Sequence, residues 1–390
     1  HFRLYDFNIT TRLFTVYDLL NPAAIETPAP NRQDRFGGDL AAADIDGDGY
    51  LDIVLPESNN ASGSGLVSWF KNPAGNLAGT WTENVITTFS GSGTGNVVAH
   101  LSEIAAGDLT HNGRADVVVR DVSNGVFVMR QNTNGTWANR QFIATNPREG
   151  LTLFNPDGDN DHDILLNGRW LQTVDSAAGT YTSRIIKGAE PWYPSVTDTN
   201  TIADYATKVE IGDFNGDGRD DFAITNSEEL NNHSSTDSKP KGVQVFLAPA
   251  DPINDNWTKV VLSSERFSWH SLEIGDIDMD GDLDIVTGIS LVGADADNNQ
   301  KVVAFLNNGQ GTAFSEFVIA SGTDGGSSNA GVFMYQARLG DVDGDGDLDL
   351  FAPHTWNDGP IRFYENLTAV PEPAVAAMAL LSAAILRRRR

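Results

Sequence analysis

Asp44-Ile45-Asp46-Gly47-Asp48-Gly49-Tyr50-Leu51-Asp52 decides how this chain is read, because close copies of it start at Asp108, Asn155, Asp213, Asp276 and Asp341. The spacings are 64, 47, 58, 63 and 65 residues. Such intervals are too irregular for a thin solenoid and suit a supersecondary unit with loops of variable length. Short β-branched or aromatic runs separated by Gly, Asn and Pro turns follow each string, and no helical periodicity appears. After the first string come residues 51–55, 66–71 and 81–87; after the fourth, 222–225, 243–247 and 257–262; after the fifth, 283–286, 302–306 and 314–319. A further strand precedes each string, as in Val209-Glu210-Ile211-Gly212 and Leu272-Glu273-Ile274-Gly275. Four strands per repeat and no helices predict an all-β fold, a β-propeller of four-stranded blades.

The chain ends bear on blade number. The last unit supplies three strands, and residues 14–20 match the outer-strand pattern, so the N-terminus could complete a sixth and final blade. Arg3 to Asn8 also resembles the third strand of a unit, which implies a seventh blade whose inner half lies upstream of His1. Seven blades are the expectation and six the alternative.

Carboxylates at positions 1, 3, 5 and 9 of a tight loop, with Gly at 6, suit a hard cation. Ca²⁺ takes about six to eight oxygens, alternate side chains of a turning backbone converge on one point, and a carbonyl at position 7 fills a gap. The expected metal ligands are Asp44, Asp46, Asp48 and Asp52 in the first loop, and Asp213, Asn215, Asp217 and Asp221 in the fourth. The fifth offers Asp276, Asp278, Asp280 and Asp284, and the sixth Asp341, Asp343, Asp345 and Asp349. Tyr50, Arg219, Asp282 and Asp347 occupy position 7. These are not EF-hands, since position 12 carries Leu55, Ile224, Thr287 or Ala352 in place of a bidentate Glu. Weak or empty sites are expected in the second loop (Asp108, Thr110, Asn112, Asp116) and the third (Asn155, Asp157, Asp159, Asp161, Asp163), where ligands or the glycine are replaced.

Charge agrees. The six strings hold 24 acidic and two basic residues, a net −22 of the chain's −27. Crowded carboxylates repel unless a cation neutralises them. The same charge argues against nucleic acid or an anionic lipid surface as partner for the bulk of the chain. The 390 residues contain no Cys, which excludes disulfides and thiolate metal sites. The chain starts at His1 without a charged-then-apolar leader, so any signal peptide is expected to have been removed or to lie outside this sequence.

These strings resemble the FG-GAP/VCBS repeat family, whose blades are similar to those of the integrin α-chain head. The resemblance runs from about Leu40 to Leu367 and is most specific at Gly275-Asp276-Ile277-Asp278-Met279-Asp280-Gly281-Asp282-Leu283-Asp284-Ile285-Val286. It implies a seven-bladed propeller with Ca²⁺ in the hairpin loops between the first and second strands of a blade. It implies no single activity, since members look like adhesion, carbohydrate-binding or scaffold modules. The C-terminus resembles a PEP-CTERM sorting signal: Pro371-Glu372-Pro373, an apolar stretch from Ala374 to Leu386, then four arginines. Thirteen apolar residues would span about 20 Å as a helix, short of a full crossing. The resemblance implies processing by an exosortase-type transpeptidase in a Gram-negative-type bacterium. Residues 1–369 are accordingly read as the propeller and 370–390 as the sorting tail, with membrane contact only through that tail.

There is no G-x-S-x-G, H-E-x-x-H or P-loop, and no catalytic residue is assigned. His100, Tyr205, Trp269, His270 and Tyr335 each sit shortly before or at the start of an inner strand, where they could crowd one rim of the channel and hold a sugar, or pack between blades. Trp192 and Tyr193 lie in an insertion that reads as a binding loop or as blade-edge packing. The sequence therefore predicts an extracellular or envelope-surface, Ca²⁺-stabilised binding or adhesion module toward glycan or surface protein. A carbohydrate-active hydrolase or lyase with its site on the channel rim, and a structural matrix component, are the alternatives.

Overall fold

The computed structural model describes residues 3–8, 13–18, 39–59, 64–90, 101–121, 125–144, 149–159, 161–166, 169–188, 207–226, 242–264, 268–290, 301–321, 337–341, 346–353 and 361–367. These residues contain strands and no helix. β1 (Arg3–Asn8) and β2 (Leu13–Asp18) pair antiparallel as a two-stranded sheet, from Arg3 opposite Asp18 to Asn8 opposite Leu13. The first blade holds β3 (Ala41–Ala43), β4 (Asp52–Asn59), β5 (Ser64–Lys71) and β6 (Thr82–Ser90). The second holds β7 (Leu101–Gly107), β8 (Asp116–Asp121), β9 (Gly125–Met129) and β10 (Gln141–Ala144). The third holds β11 (Leu151–Phe154), β12 (Asp163–Leu166), β13 (Arg169–Asp175) and β14 (Thr180–Arg184). In the fourth are β15 (Thr207–Gly212), β16 (Asp221–Asn226), β17 (Val243–Leu247) and β18 (Thr258–Ser263). In the fifth are β19 (Ser268–Gly275), β20 (Asp284–Ser290), β21 (Lys301–Asn307) and β22 (Phe314–Ser321). The sixth has β23 (Arg338–Gly340), β24 (Asp349–Pro353) and β25 (Ile361–Tyr364).

Each sheet is an antiparallel meander in chain order, and each acidic string forms the hairpin between the first and second strands. This is a β-propeller. Among the described residues β2 pairs with β1 and not with β25, which matches the third-and-outer-strand pair of a seventh blade and leaves the sixth with three strands.

First strands pack on first strands: β7 on β3 and on β11, β11 on β15, β15 on β19, and β19 on β23. Alternate side chains of each inner strand therefore face opposite neighbours. Ile104 joins the core shared with the first blade, whereas Ala105 packs against the core shared with the third. The second strands are sandwiched on both faces, so β8 and β12 are buried at every residue. That explains why their sequences read as continuous apolar runs and not as alternation. The outer strands face solvent on one side, leaving Val85, Phe142, Val261, Phe317 and Val318 exposed.

Candidate metal centre

The string folds the same way in each described loop. The position 1 carboxylate accepts backbone N–H bonds from further along its own turn. Asp44 accepts from Gly47, Asp48 and Gly49 at 2.8, 3.0 and 2.8 Å; Asp213 from Asp217 and Gly218 at 3.0 and 2.7 Å; Asp276 from Asp280 and Gly281 at 3.0 and 3.0 Å. The turn needs left-handed backbone at position 4 as well as at position 6. Gly47 and Gly216 have φ of 75° and 73° at position 4, and His111 and Met279 are forced to 51° and 62° at the same place.

Position 9 does more than the expected closing of the loop. Asp52, Asp116, Asp221 and Asp284 are fully buried. In each, one oxygen accepts the N–H of position 2 (Ile45, Leu109, Phe214, Ile277) at 3.0, 3.0, 3.0 and 2.8 Å. The other accepts an N–H just past or at the end of the third strand (Asn72, Gln131, Ala248, Asn307) at 2.7, 2.7, 2.6 and 2.8 Å. Asp163 bonds Thr173 N at 2.7 Å and Trp170 Nε1 at 2.6 Å instead. Burial raises these carboxyls, Asp116 and Asp284 to about 6, Asp221 to about 7 and Asp163 to about 8, against the lowering effect of the donated hydrogen bonds. Position 9 is thus first a clasp between loop and sheet, used even in the degraded second loop.

Two loops bring carboxylate oxygens within 4.8 Å of one another: Asp44, Asp46 and Asp48, and Asp276, Asp278 and Asp284. They differ in what neutralises them. Lys71 Nζ pairs with Asp46 and lies 2.7 Å from Asp48 Oδ2, placing an ammonium at the first cluster. No Lys or Arg among the described residues pairs with Asp276, Asp278 or Asp284. Desolvation, then Asp280 and Asp276, raises the Asp278 carboxyl. Position 3 of two loops also carries an oxygen that a cation would satisfy: Asp46 Oδ1 and Asp157 Oδ1 are buried without a hydrogen-bond partner. Hard carboxylate oxygens converging in this way fit a divalent cation such as Ca²⁺. In the fourth loop Arg219 pairs with Asp217, so this position 7 residue brings an opposite charge beside a candidate ligand. In the sixth, Asp343 and Asp345 lie outside the described residues, while Asp349 keeps its clasp to Asn366 N at 2.9 Å.

Residues 44–119 and 213–287 match the FG-GAP-like repeat family model. The two FG-GAP-like segments span the first and second strings and the fourth and fifth, the regions whose loops are described above. No curated protein matches the sequence. Solved structures similar in fold include the periplasmic gluconolactonase PpgL of Pseudomonas aeruginosa, 12% identical with a TM-score of 0.44, covering 94% of this chain and 92% of that one.

Of the expected rim residues, His100, Tyr205, Tyr335, Trp192 and Tyr193 lie outside the described residues, as do Pro371, Glu372 and Pro373 of the tail. Trp269 takes the second of its two expected placements and packs between blades: its indole is fully buried in the core between the fourth and fifth blades, 6.2 Å from the Phe305 ring, and offers no face to a ligand. His270 is the extra residue of a β-bulge between Trp269 and Ser271 and is buried; against desolvation, Lys208 chiefly, then Arg120 and His270, lower the Glu149 carboxyl.

Sequence reasoning missed a set of charges on the inner strands. Asp39, just before β3, accepts Ile104 N at 3.1 Å from the second blade. Glu103 accepts Gly150 N at 2.7 Å and Leu151 N at 3.3 Å from the third, and pairs with Arg120 Nε at 2.6 Å. Both carboxylates stand five residues before their strings, so the same clasp is used twice between blades. Lys208 lies 3.1 Å from Glu149, and Arg338 pairs with Glu273 at 2.5 Å. Their fixed offset from the strings was the available signal.

Proposed function

We propose that this protein is an extracellular or envelope-surface β-propeller whose acidic loops hold structural Ca²⁺, and which acts as a binding or adhesion module toward glycan or protein. The observation that carries the reading is the convergence of Asp276, Asp278 and Asp284 within 4.8 Å without a basic partner among the described residues. A bound cation stabilises the native state by mass action, and several sites add. Asp276 and Asp278 would be direct ligands and Asp284 would share its oxygens between cation and backbone. The C-terminal Pro-Glu-Pro, apolar and tetra-arginine order fits a sorting tail processed by an exosortase-type transpeptidase. No helix among the described residues is long and apolar enough to cross a membrane.

A glycan-array and polysaccharide screen in Ca²⁺ and again in EDTA, with product analysis on each hit, tests this reading. Calcium-dependent binding without turnover supports it, and a blank screen from folded protein counts against a glycan-binding role. A second reading, a carbohydrate-active hydrolase or lyase, has one observation in its favour: the ionisable carboxyls Glu210 and Glu273 come together from adjacent inner strands. Cleavage products in the same screen would promote it.

A further inference from the structure

The clasp made by position 9 fixes one register in all six blades. A carboxylate oxygen there accepts the N–H of Asn72, Gln131, Thr173, Ala248, Asn307 and Asn366 in turn. The residue directly before each amide is therefore held at the same place against its own acidic turn. Those residues are Lys71, Arg130, Gln172, Leu247, Leu306 and Glu365. The blades share a scaffold and differ in the chemistry they put at this place.

Two of the six side chains reach the position 3 carboxylate. Lys71 Nζ pairs with Asp46 and lies 2.7 Å from Asp48 Oδ2, so the first loop carries its own cation. Gln172 Nε2 donates to Asp157 Oδ2 at 2.6 Å in the third loop, whose position 1 is the uncharged Asn155. In both loops the strand residue takes Oδ2 of position 3 and leaves Oδ1 buried without a partner, the same half-filled arrangement twice. Arg130 has no carboxylate to meet at positions 3 and 5 of its loop, which are Thr110 and Asn112, and its Nη1 turns to Ala177 O of the third blade at 3.3 Å.

Leu247 and Leu306 neutralise nothing. They pack in the blade cores that also take the position 2 residues of their loops, Phe214 and Ile277. In the fourth loop position 7 supplies the charge that the strand does not, Arg219 pairing with Asp217. The fifth loop has neither device. Leu306 stands on its strand, Asp282 is at position 7, and no Lys or Arg among the described residues pairs with Asp276, Asp278 or Asp284. An ammonium and a divalent cation relieve the same carboxylate repulsion, and they exclude each other because both need the same oxygens and repel at contact.

We propose that the third-strand residue before the clasp decides which acidic loops depend on calcium: Lys71 holds the first loop closed without an external ion, and Leu306 leaves the fifth reliant on one. This rests on the structural Ca²⁺ reading above and adds that the dependence is unequal around the ring. Removing calcium loosens the fifth hairpin while the first stays closed.

The test is hydrogen exchange of the whole chain in Ca²⁺ and in EDTA, read by mass spectrometry over residues 44–52 and 276–284, with bound Ca²⁺ counted by native mass spectrometry. In the native chain EDTA is expected to speed exchange over 276–284 by roughly tenfold or more and over 44–52 by less than about twofold. Leu306→Lys is expected to bring the response of 276–284 under about twofold and to lower the calcium count by one, and Lys71→Leu to make 44–52 respond by roughly tenfold. Leu306→Gln, which copies the third blade, is the second route if Leu306→Lys does not fold, and is expected to shrink the response of 276–284 by at least about threefold. Equal responses of the two loops in the native chain, or substitutions that leave the responses where they were, overturn the role of this residue; with calcium still counted, the structural Ca²⁺ reading stands. No bound calcium and no response to EDTA in either loop overturns both.

Discussion

The Asp284 carboxylate accepts the backbone N–H of Ile277, seven residues earlier, at 2.8 Å, and with its second oxygen holds Asn307 N at 2.8 Å. One buried side chain thus locks the acidic turn to the third strand of its blade. A hydrogen bond to a charged group is worth about 1.5–3 kcal/mol, and removal orphans two amides. Asp284→Ala should therefore cost roughly 2–4 kcal/mol in EDTA, from the clasp alone, and more in Ca²⁺, where its share in the cation is lost as well. Asp278→Asn, whose carboxylate bonds only within its own loop, to Asp280, should cost stability in Ca²⁺ and little in EDTA. Urea unfolding of both variants in both buffers separates the roles. An Asp284→Ala cost confined to Ca²⁺ would make position 9 purely a ligand.

Lys71 places an ammonium against Asp46 and Asp48, where a cation would otherwise sit. Lys71→Met should destabilise the metal-free protein and raise calcium affinity at the first loop by roughly tenfold, since the competitor is gone. Calcium titration followed by calorimetry reads this, and an unchanged affinity would mean that ammonium and cation do not compete.

Met279 sits at position 4 with φ of 62°, where Gly47 and Gly216 occupy the equivalent place. A non-glycine residue held there costs about 1 kcal/mol. Met279→Gly should raise stability by up to about 1 kcal/mol, less the entropy glycine adds to the unfolded chain. A lower unfolding midpoint would show that the Met279 side chain supplies packing worth more than the strain.

Glu210 is raised from the ordinary carboxyl value of 4.5 to about 8 by burial first, then by Glu273 and Asp39, against Arg338 and Lys208. The folded state therefore binds more protons than the unfolded between those values, so its contribution to stability falls as pH rises from about 4.5 to about 8. Glu210→Gln should remove that loss, gaining roughly 2 kcal/mol at pH 8 and little at pH 4, after allowance for screening. Unfolding free energies across pH 4 to 8 in constant Ca²⁺ decide it; parallel curves for the two proteins would mean that Glu210 ionises freely.

Much of the architecture was legible because the string fixes its own surroundings. Position 9 and the flanking strands recur with every copy, and positions 1 and 6 in all but the third, so blade organisation follows from Asp44 to Asp52 and its echoes. The blade count at the N-terminus rested on weaker evidence, the likeness of Arg3 to Asn8 to a third strand, and the β1–β2 pairing agrees with it. The clasp at position 9 was not legible because an Asp that accepts two amides and an Asp that binds metal have the same spacing, and its burial shows only in the fold. For Trp269 the rim and packing between blades both stayed open, because distance along the strand was visible and its facing was not. A bulge between Trp269 and Ser271 alters that facing, and nothing in the local composition announces it. The inner-strand charges escaped notice because partners such as Glu273 and Arg338 lie 65 residues apart in sequence and meet only when neighbouring blades pack.

The measurement that tests the account most directly is calorimetric titration of Ca²⁺ into the EDTA-stripped chain, beside the Asp276→Asn, Asp278→Asn double variant. The account predicts saturable binding at more than one site, a rise in melting temperature on loading, and loss of one site in the variant. No binding heat at millimolar Ca²⁺ and identical melting in Ca²⁺ and EDTA would contradict it.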